Sequence, residues 1–510
     1  MIRWFNAGFE GLLISILLLV PTGISGALPN DSTENISDSL QRSRCVEYDS
    51  IQKLIEVRCA SIHLTDIYNT IRDPNILGVE NDGNGFTSRD NNSKVWILNG
   101  GITVDKESSL IIDSTDTSWL KITATPTIQL KQKSSNITNE EADYTDDTAT
   151  VVRNDSRGRG DTNNINNFSS IGNGTIIVSK HNGDNPNGIH VHGSLKIDSV
   201  KITSWDPQKN DVIEFDFGKR LGEEHTKSDY DTAEPRAFIR VSKDATGTTN
   251  ITNSEIAYLG YSCSRCAGLS YYGGEGSIIK NNNIHHLLKG FYSKNAGHIT
   301  IDNNSFHNNY LYGIDPHTGS HDFTISNNLV YNNNASGIIC SKDCYNLLIE
   351  GNEVYNNSGA ARGIAFSINT TKSVARNNYV YDQPRCISFN RESNHNEVYN
   401  NTVSGCRTGI YLSGTFNNSI HHNHIINVSS GISFKNFKNQ IYNNNILNAT
   451  NGIIFHGGSS INETNNRIND TYAETKYHGV LANVAANNNI LNTDSIMKIK
   501  KESIKATSKN

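Results

Sequence analysis

The sequence has no excess of positive charge. Its 45 Lys and Arg stand against 51 Asp and Glu, a formal net charge of −6, so no overall basic field draws it to nucleic acid, and no segment resembles a nucleic-acid module. An anionic ligand has to be held by a local patch. Long hydrophobic runs are equally scarce. One, Leu12 to Val20, follows Arg3 and precedes the small residues Ser25-Gly26-Ala27, the pattern of a signal peptide over residues 1–27. An uncleaved anchor is the alternative, but the run falls short of the roughly 20 residues that span a bilayer. No later stretch is long and apolar enough to cross, so the body is expected to be secreted, with no membrane partner beyond that segment.

Cysteine is sparse but paired in spacing. Eight Cys fit an oxidising compartment, and local pairing gives Cys45 with Cys59, Cys263 with Cys266, Cys340 with Cys344 and Cys386 with Cys406. A zinc site shared by the two close pairs is the competing reading. Sequons at Asn136, Asn173 and Asn250 are compatible with a glycoprotein.

A short motif recurs: Gly, then a branched or aromatic residue, about a dozen mixed residues, and an Ile/Val-x-Asn-Asn step. The Gly positions are Gly268, Gly290, Gly313, Gly337, Gly363, Gly409, Gly431 and Gly452, with Cys386 in the Gly place once, a spacing of about 21 to 26 residues. A unit that short cannot bury a core alone and has to stack on its neighbours. Apolar residues alternate over short β-rich runs such as Phe323-Thr324-Ile325, while Asn and Gly gather at corners. Asn tolerates left-handed backbone and can stack on an Asn of the next coil. The chain therefore reads as an all-β parallel β-helix with coils about 4.8 Å apart.

In chain order, residues 28–94 read as a linker and amino-terminal cap, with Thr65 capping a short helix that ends before Asp73-Pro74. Residues 95–470 form the solenoid, interrupted by disordered insertions at about 132–170 and 218–234. Residues 471–510 form a carboxy-terminal cap and a basic tail. His190 and His192 lie on one strand face, as do members of His421-His422-Asn423-His424; a surface strand accounts for both better than a metal. No metal or cofactor is expected, and the protein is expected to be a monomer.

Aligning coils on their glycines shows which side chains share a column. Two positions after the Gly stand Ser270, Tyr292, Asp315, Ile339 and Ala365; four positions after it stand Tyr272, Lys294, His317, Ser341 and Ser367. If the residue after the Gly points inward, these columns point outward and form a groove floor. One position before the Gly come Lys289, Tyr312, Ser336, Arg362 and Arg385. Tyr312, Asp315 and His317 thus emerge together beside Lys289, Lys294, Lys342, Arg362 and Arg385, a set suited to acid/base work on an anionic polymer. The bland alternative is a plain Asp-Pro turn and a solvent-facing His.

These residues resemble the mannuronan C5-epimerases of alginate-producing bacteria, of the periplasmic type. The likeness rests on Ser254 to Ser262, Gly268 to Tyr271, Gly290-Phe291-Tyr292, Tyr312-Gly-Ile-Asp-Pro-His317 with Ser320-His321, and Gly337 to Lys342, with weaker pieces at Ser204-Trp205 and Arg236 to Phe238. The calcium-binding nonapeptide repeats of the secreted calcium-dependent epimerases are absent.

The resemblance implies a right-handed parallel β-helix in which His317 removes the C5 proton of a uronate. It further implies that Asp315 orients the imidazole, Tyr312 returns the proton or binds substrate, and Lys342 stands where the family has a carboxylate-neutralising Arg. Tyr271, Tyr292, Lys294, Arg362 and Arg385 are the expected substrate-binding residues. The family continues Asp-Pro-His-Asp where this chain has Thr318, and Lys342 lacks the bidentate fork of an Arg; Arg362 is the alternative source of that fork.

The chemistry needs such a set. A proton α to a carboxylate is very weakly acidic, and a fixed cation has to stabilise the dianion formed. Three functions compete: a polyuronate C5-epimerase, a polysaccharide lyase that shares proton abstraction but expels the C4 substituent, and a non-catalytic glycan-binding or copper-delivery β-helix.

Overall fold

The computed structural model describes residues 45–80, 93–124, 187–214, 235–261, 265–358, 362–435, 439–456, 460–469, 473–478 and 483–490. The expected signal segment, both insertions and the basic tail lie outside these residues. The body is a parallel β-solenoid of about 11 turns, with a single helix among the described residues.

Three parallel ladders run along it. One carries the glycine strands, from Leu54–Val57 through Gly101–Val104, Gly188–Val191, Phe238–Val241, Gly268–Tyr271, Lys289–Lys294 and Ile314–His317, then Ile338–Lys342, Arg362–Ile368 and Arg385–Asn390. The other two carry the short strands on either side of the Asn-Asn step, such as Thr324–Ser326 on Thr300–Asp302 and Leu329–Tyr331 on Ser305–His307. Each three-residue strand turns its central side chain inward, so Ile301, Ile325 and Ile349 form one buried column and Phe306, Val330 and Val354 another.

The Asn-Asn step has a division of labour. The first Asn takes left-handed backbone at an exposed corner, as in Asn303 (φ 55°) and Asn327 (φ 53°). The second is buried and passes its amide along the solenoid: Asn304 Nδ2 donates to Asn328 Oδ1 (3.0 Å), Asn328 to Asn352 (2.9 Å), Asn352 to Asn378 (3.0 Å) and Asn378 to Asn401 (2.9 Å). The same amide also closes a buried backbone carbonyl, as Asn328 does with Ile301 O (2.9 Å). Gly313 is required for close approach, since a Cβ there would lie 2.7 Å from the Gly337 carbonyl oxygen and 2.6 Å from Val330.

The first coil begins well before residue 95. Leu54–Val57 already pairs in parallel with Gly101–Val104, so residues 54–80 contribute to the solenoid instead of forming only a linker and cap; their strands are too short to show the repeat. The helix spans Leu64–Ile71, with His63 and not Thr65 at its N-cap, and buries Leu64 and Ile67. Past residue 470, strands Ala473–His478 and Asn483–Ile490 extend the ladders, although the sequence repeat has faded.

Cys45–Cys59 and Cys386–Cys406 are disulfides. Cys266 is also disulfide-bonded, and Cys263 lies outside the described residues. Cys340 and Cys344 are free, contrary to expectation: both thiols belong to the buried core, where Cys344 Sγ donates to Pro316 O at 3.3 Å.

Replacing Asn328 by Ala removes two donated bonds and takes away the Oδ1 that accepts both the Asn304 backbone N–H and its side-chain amide. A loss of about 2–3 kcal/mol is expected, read as a lowered unfolding midpoint, whereas Asn327→Ala at the exposed corner should cost clearly less. Equal costs would show that the buried ladder is not what holds the coils.

Candidate functional site

Register places the expected residues in columns. Tyr292 pairs with Asp315 and Lys294 with His317, Ile314 with Ile338, and Ile339 with Ala365. Continuing the fourth-position column through these pairings gives Lys294, His317, Ser341, Ser367, Asn390 and Ser413. A cavity of about 530 Å³ lies along this column and has His317, Ser341, Ser367, Asn390 and Ser413 in its lining, with Tyr312, Arg362 and Arg391 forming its wall.

Asp315 is fully buried. Lys289 Nζ donates to its Oδ2 at 3.0 Å and Ser341 Oγ to its Oδ1 at 2.6 Å. A buried carboxylate needs such partners. These two bonds hold Asp315, and the His317 ring is bonded elsewhere, so the expected orienting bond is replaced. Nδ1 of His317 instead accepts the backbone N–H of Thr318 at 2.9 Å, with the Thr318 hydroxyl 2.7 Å away. An amide N–H can only donate, which leaves the proton of the neutral ring on Nε2. Thr318 is therefore the residue that fixes the tautomer. Asp315 acts on His317 through its charge.

Burial pushes the His317 pKa down, and Lys289, Lys294 and Lys342 push the same way, with Asp315 opposing. The ring of Tyr292 sits 5.5 Å from that of His317 and tilts 46° to it, while Lys289 Nζ lies 4.1 Å from the Tyr292 centroid and 5.5 Å from the Tyr312 centroid. Tyr312, Asp315, His317, Tyr292 and Lys294 are thus brought together.

Other expectations change. Tyr271 is a core residue: it is fully buried, donates its hydroxyl to Thr249 O at 3.0 Å, and burial pushes its pKa up. It stands three positions after Gly268, the inward parity, so the column rule already excluded it from the groove. Lys342 acts on His317 electrostatically but does not line the cavity, whereas Arg362 does. Arg385 pairs with Arg362 in register and lies 4.1 Å over the Tyr411 ring, outside the lining. Asn390 and Arg391 were not anticipated. Asn390 is four positions after Cys386, which takes the Gly place in that coil, so carrying the column one coil further would have found it.

His190 is bonded to Arg240 Nη2 (2.7 Å) and His421 to Glu397 (2.8 Å). Among the described residues, one trio could hold a metal, His298, His321 and Asp322, with ligand atoms within 4.8 Å of one another; the 2.7 Å bond between His321 Nδ1 and Asp322 already occupies two of them. No described helix is long and apolar enough to cross a membrane.

The His317 titration has a definite sign. Its midpoint, followed by NMR, should fall below the ordinary value of about 6.5, and Lys294→Met should raise it by removing a neighbouring cation. Because the unfolded chain binds this proton more tightly, the contribution of His317 to stability should fall as pH drops from about 6.5 toward the folded-state value. A midpoint at or above 6.5 would contradict the described burial.

Comparison with known proteins agrees with the architecture. The family model for the right handed beta helix region matches residues 239–403 and 361–468. The solved periplasmic alginate epimerase AlgG is similar at TM-score 0.53 and 17% identity, over 88% of this chain and 88% of that one. A double mutant of it gives 0.55 and 16%, over 89% and 88%. The A-module of the Azotobacter vinelandii mannuronan C-5 epimerase AlgE6 gives 0.37 and 13%, over 60% and 88%. No curated protein sequence matches the chain.

Proposed function

We propose that this protein is an exported, cofactor-independent polysaccharide-modifying enzyme, a C5-epimerase acting on mannuronate or a similar uronate within a polymer. The observation that carries the reading is the neutral, cation-flanked imidazole of His317 beside Tyr312 in an open groove whose floor follows the solenoid axis. The AlgG-like fold supports it, and the groove chemistry is what selects the reaction.

The polymer lies along the column from Lys294 to Ser413, with the reacting sugar over His317. Inverting C5 requires one group to take the proton from one face of the sugar and another to return it to the other face. His317 and Tyr312 are the two groups. The Thr318 amide keeps the resting proton on Nε2, so in this tautomer His317 is the donor and the acceptor is Tyr312 as its phenolate, with Lys289 Nζ 5.5 Å from the ring centroid. The step leaves a neutral tyrosine and an imidazolate, and a proton passed back through water restores both, the reverse of the order that the family resemblance implies. Lys289, Lys294 and Arg362 surround the site with positive charge, which stabilises the dianion formed when C5 loses its proton. Arg362 lines the same cavity two coils further along the axis, which leaves Lys342 to face the carboxylate of the reacting sugar.

Polymannuronate incubated with the protein in D2O should acquire deuterium at C5 with guluronate appearing, read by proton NMR. His317→Gln should lower this by at least about 10²-fold without changing the fold, and Lys342→Met should lower kcat more than Arg362→Met does, the latter acting mainly on KM. Products absorbing in the ultraviolet, without C5 inversion, would instead identify a lyase. Absence of both deuterium and cleavage would favour a glycan-binding solenoid.

A further inference from the structure

Beyond the reacting position, the geometry points to a second anion-binding subsite, built from Arg362, Asn390 and Arg391, that holds the carboxylate of a uronate two to three sugars away from the one over His317. This inference rests on the proposed polyuronate substrate and adds to it a binding register and a minimum substrate length.

Three observations converge. All three residues line the cavity. Two of them present buried donors with no acceptor, Arg362 Nε and Asn390 Nδ2; an unmet buried N–H is costly, and a pair of them at one cavity is the arrangement an anionic oxygen satisfies. Finally, positive charge is concentrated there without compensation. Among the described residues no ion pair involves Arg362, Arg385 or Arg391, whereas Arg58 and Arg376 elsewhere on the solenoid each meet carboxylates. Burial lowers the Arg362 pKa, and Arg385 and Arg391 lower it further by repulsion, a strain that a bound carboxylate relieves.

The spacing follows from the coils. Arg362 is on the second coil after that of His317 and Asn390 on the third, so Asn390 lies roughly 14 Å along the axis at about 4.8 Å per coil. A pyranose ring with its glycosidic oxygen has a length similar to one coil, which places the contacted carboxylate on the second or third neighbour. The guanidinium fork suits a carboxylate, and the amide adds a donor that orients it.

The test is binding of oligomannuronates of increasing length to His317→Ala protein, in which turnover does not interfere, measured by calorimetry at fixed salt. Affinity should step up between the dimer and the tetramer. Asn390→Ala and Arg391→Met should each weaken tetramer binding by about 10-fold while changing dimer binding little. Arg391→Lys should retain part of the step, and all variants should unfold at the parental midpoint. Neutral mannan oligomers should show no step. Variants that bind the tetramer as tightly as the parent, or a parent that binds no oligouronate, would overturn the subsite. Deuterium exchange by the wild type is scored separately. Exchange with unaffected variants leaves the epimerase and removes the subsite, and a length step without exchange does the reverse.

Discussion

The register between coils is the constraint on which everything else depends. A one-residue slip in any strand would turn its inward face outward, and in this solenoid the slip has an additional cost. Each buried Asn of the ladder serves two masters, the amide of the next coil and a carbonyl of its own neighbourhood, as Asn352 does with Asn378 and Ile325 O. Displacing one coil would strand donors along the whole run. That stiffness is what allows side chains from strands more than 70 residues apart in sequence, His317 and Asn390, to share one groove floor.

Within the fixed register, charge is arranged in two ways. On the general surface, carboxylates and cations meet each other, as Glu350 meets Arg376 and Asp302 meets Lys280. Beside the groove, the buried Asp315 carboxylate is held by Lys289 and Ser341, and among the described residues no ion pair joins it to Arg362 or Arg391. The chain as a whole is acidic, yet its groove is a local cationic patch, which is the only form in which a protein of net charge −6 can collect a polyanion.

Much of this was legible in the sequence because stacking turns spacing into geometry. The glycine columns predicted that Tyr312, Asp315 and His317 emerge together; Tyr312 and His317 line the cavity, whereas Asp315 is fully buried. Failures have particular causes. The fourth-position column stops at Ser367, one coil short of the Cys386 coil that carries Asn390, and residues 54–80 carry strands too short to declare a repeat. Tyr271 was carried over from the family motif against its own inward parity. Asp315 could not be assigned correctly, because whether a carboxylate meets the imidazole two residues on, or a Lys and a Ser on neighbouring coils, depends on side-chain reach across coils and not on spacing along the chain. Cys340 and Cys344 likewise have a spacing compatible with a bridge, but their side chains are taken up by the packed interior corner.

The same charges tie the two halves of the groove together. Lys289, Lys294 and Lys342 lower the proton affinity of His317, and the guanidinium groups repel one another further along. In the proposed function a polyuronate brings carboxylates to both places at once, so binding offsets the cations that depress the imidazole and raises its proton affinity as the substrate arrives. By linkage, holding the proton on His317 and holding the polymer in the groove favour each other. The Thr318 amide opposes this, since it competes for the Nδ1 lone pair that a second proton would need. The imidazole is thereby kept singly protonated, with one proton to give from Nε2. Ionic contacts along the rest of the column can then strengthen binding without converting the reacting group into a fixed cation.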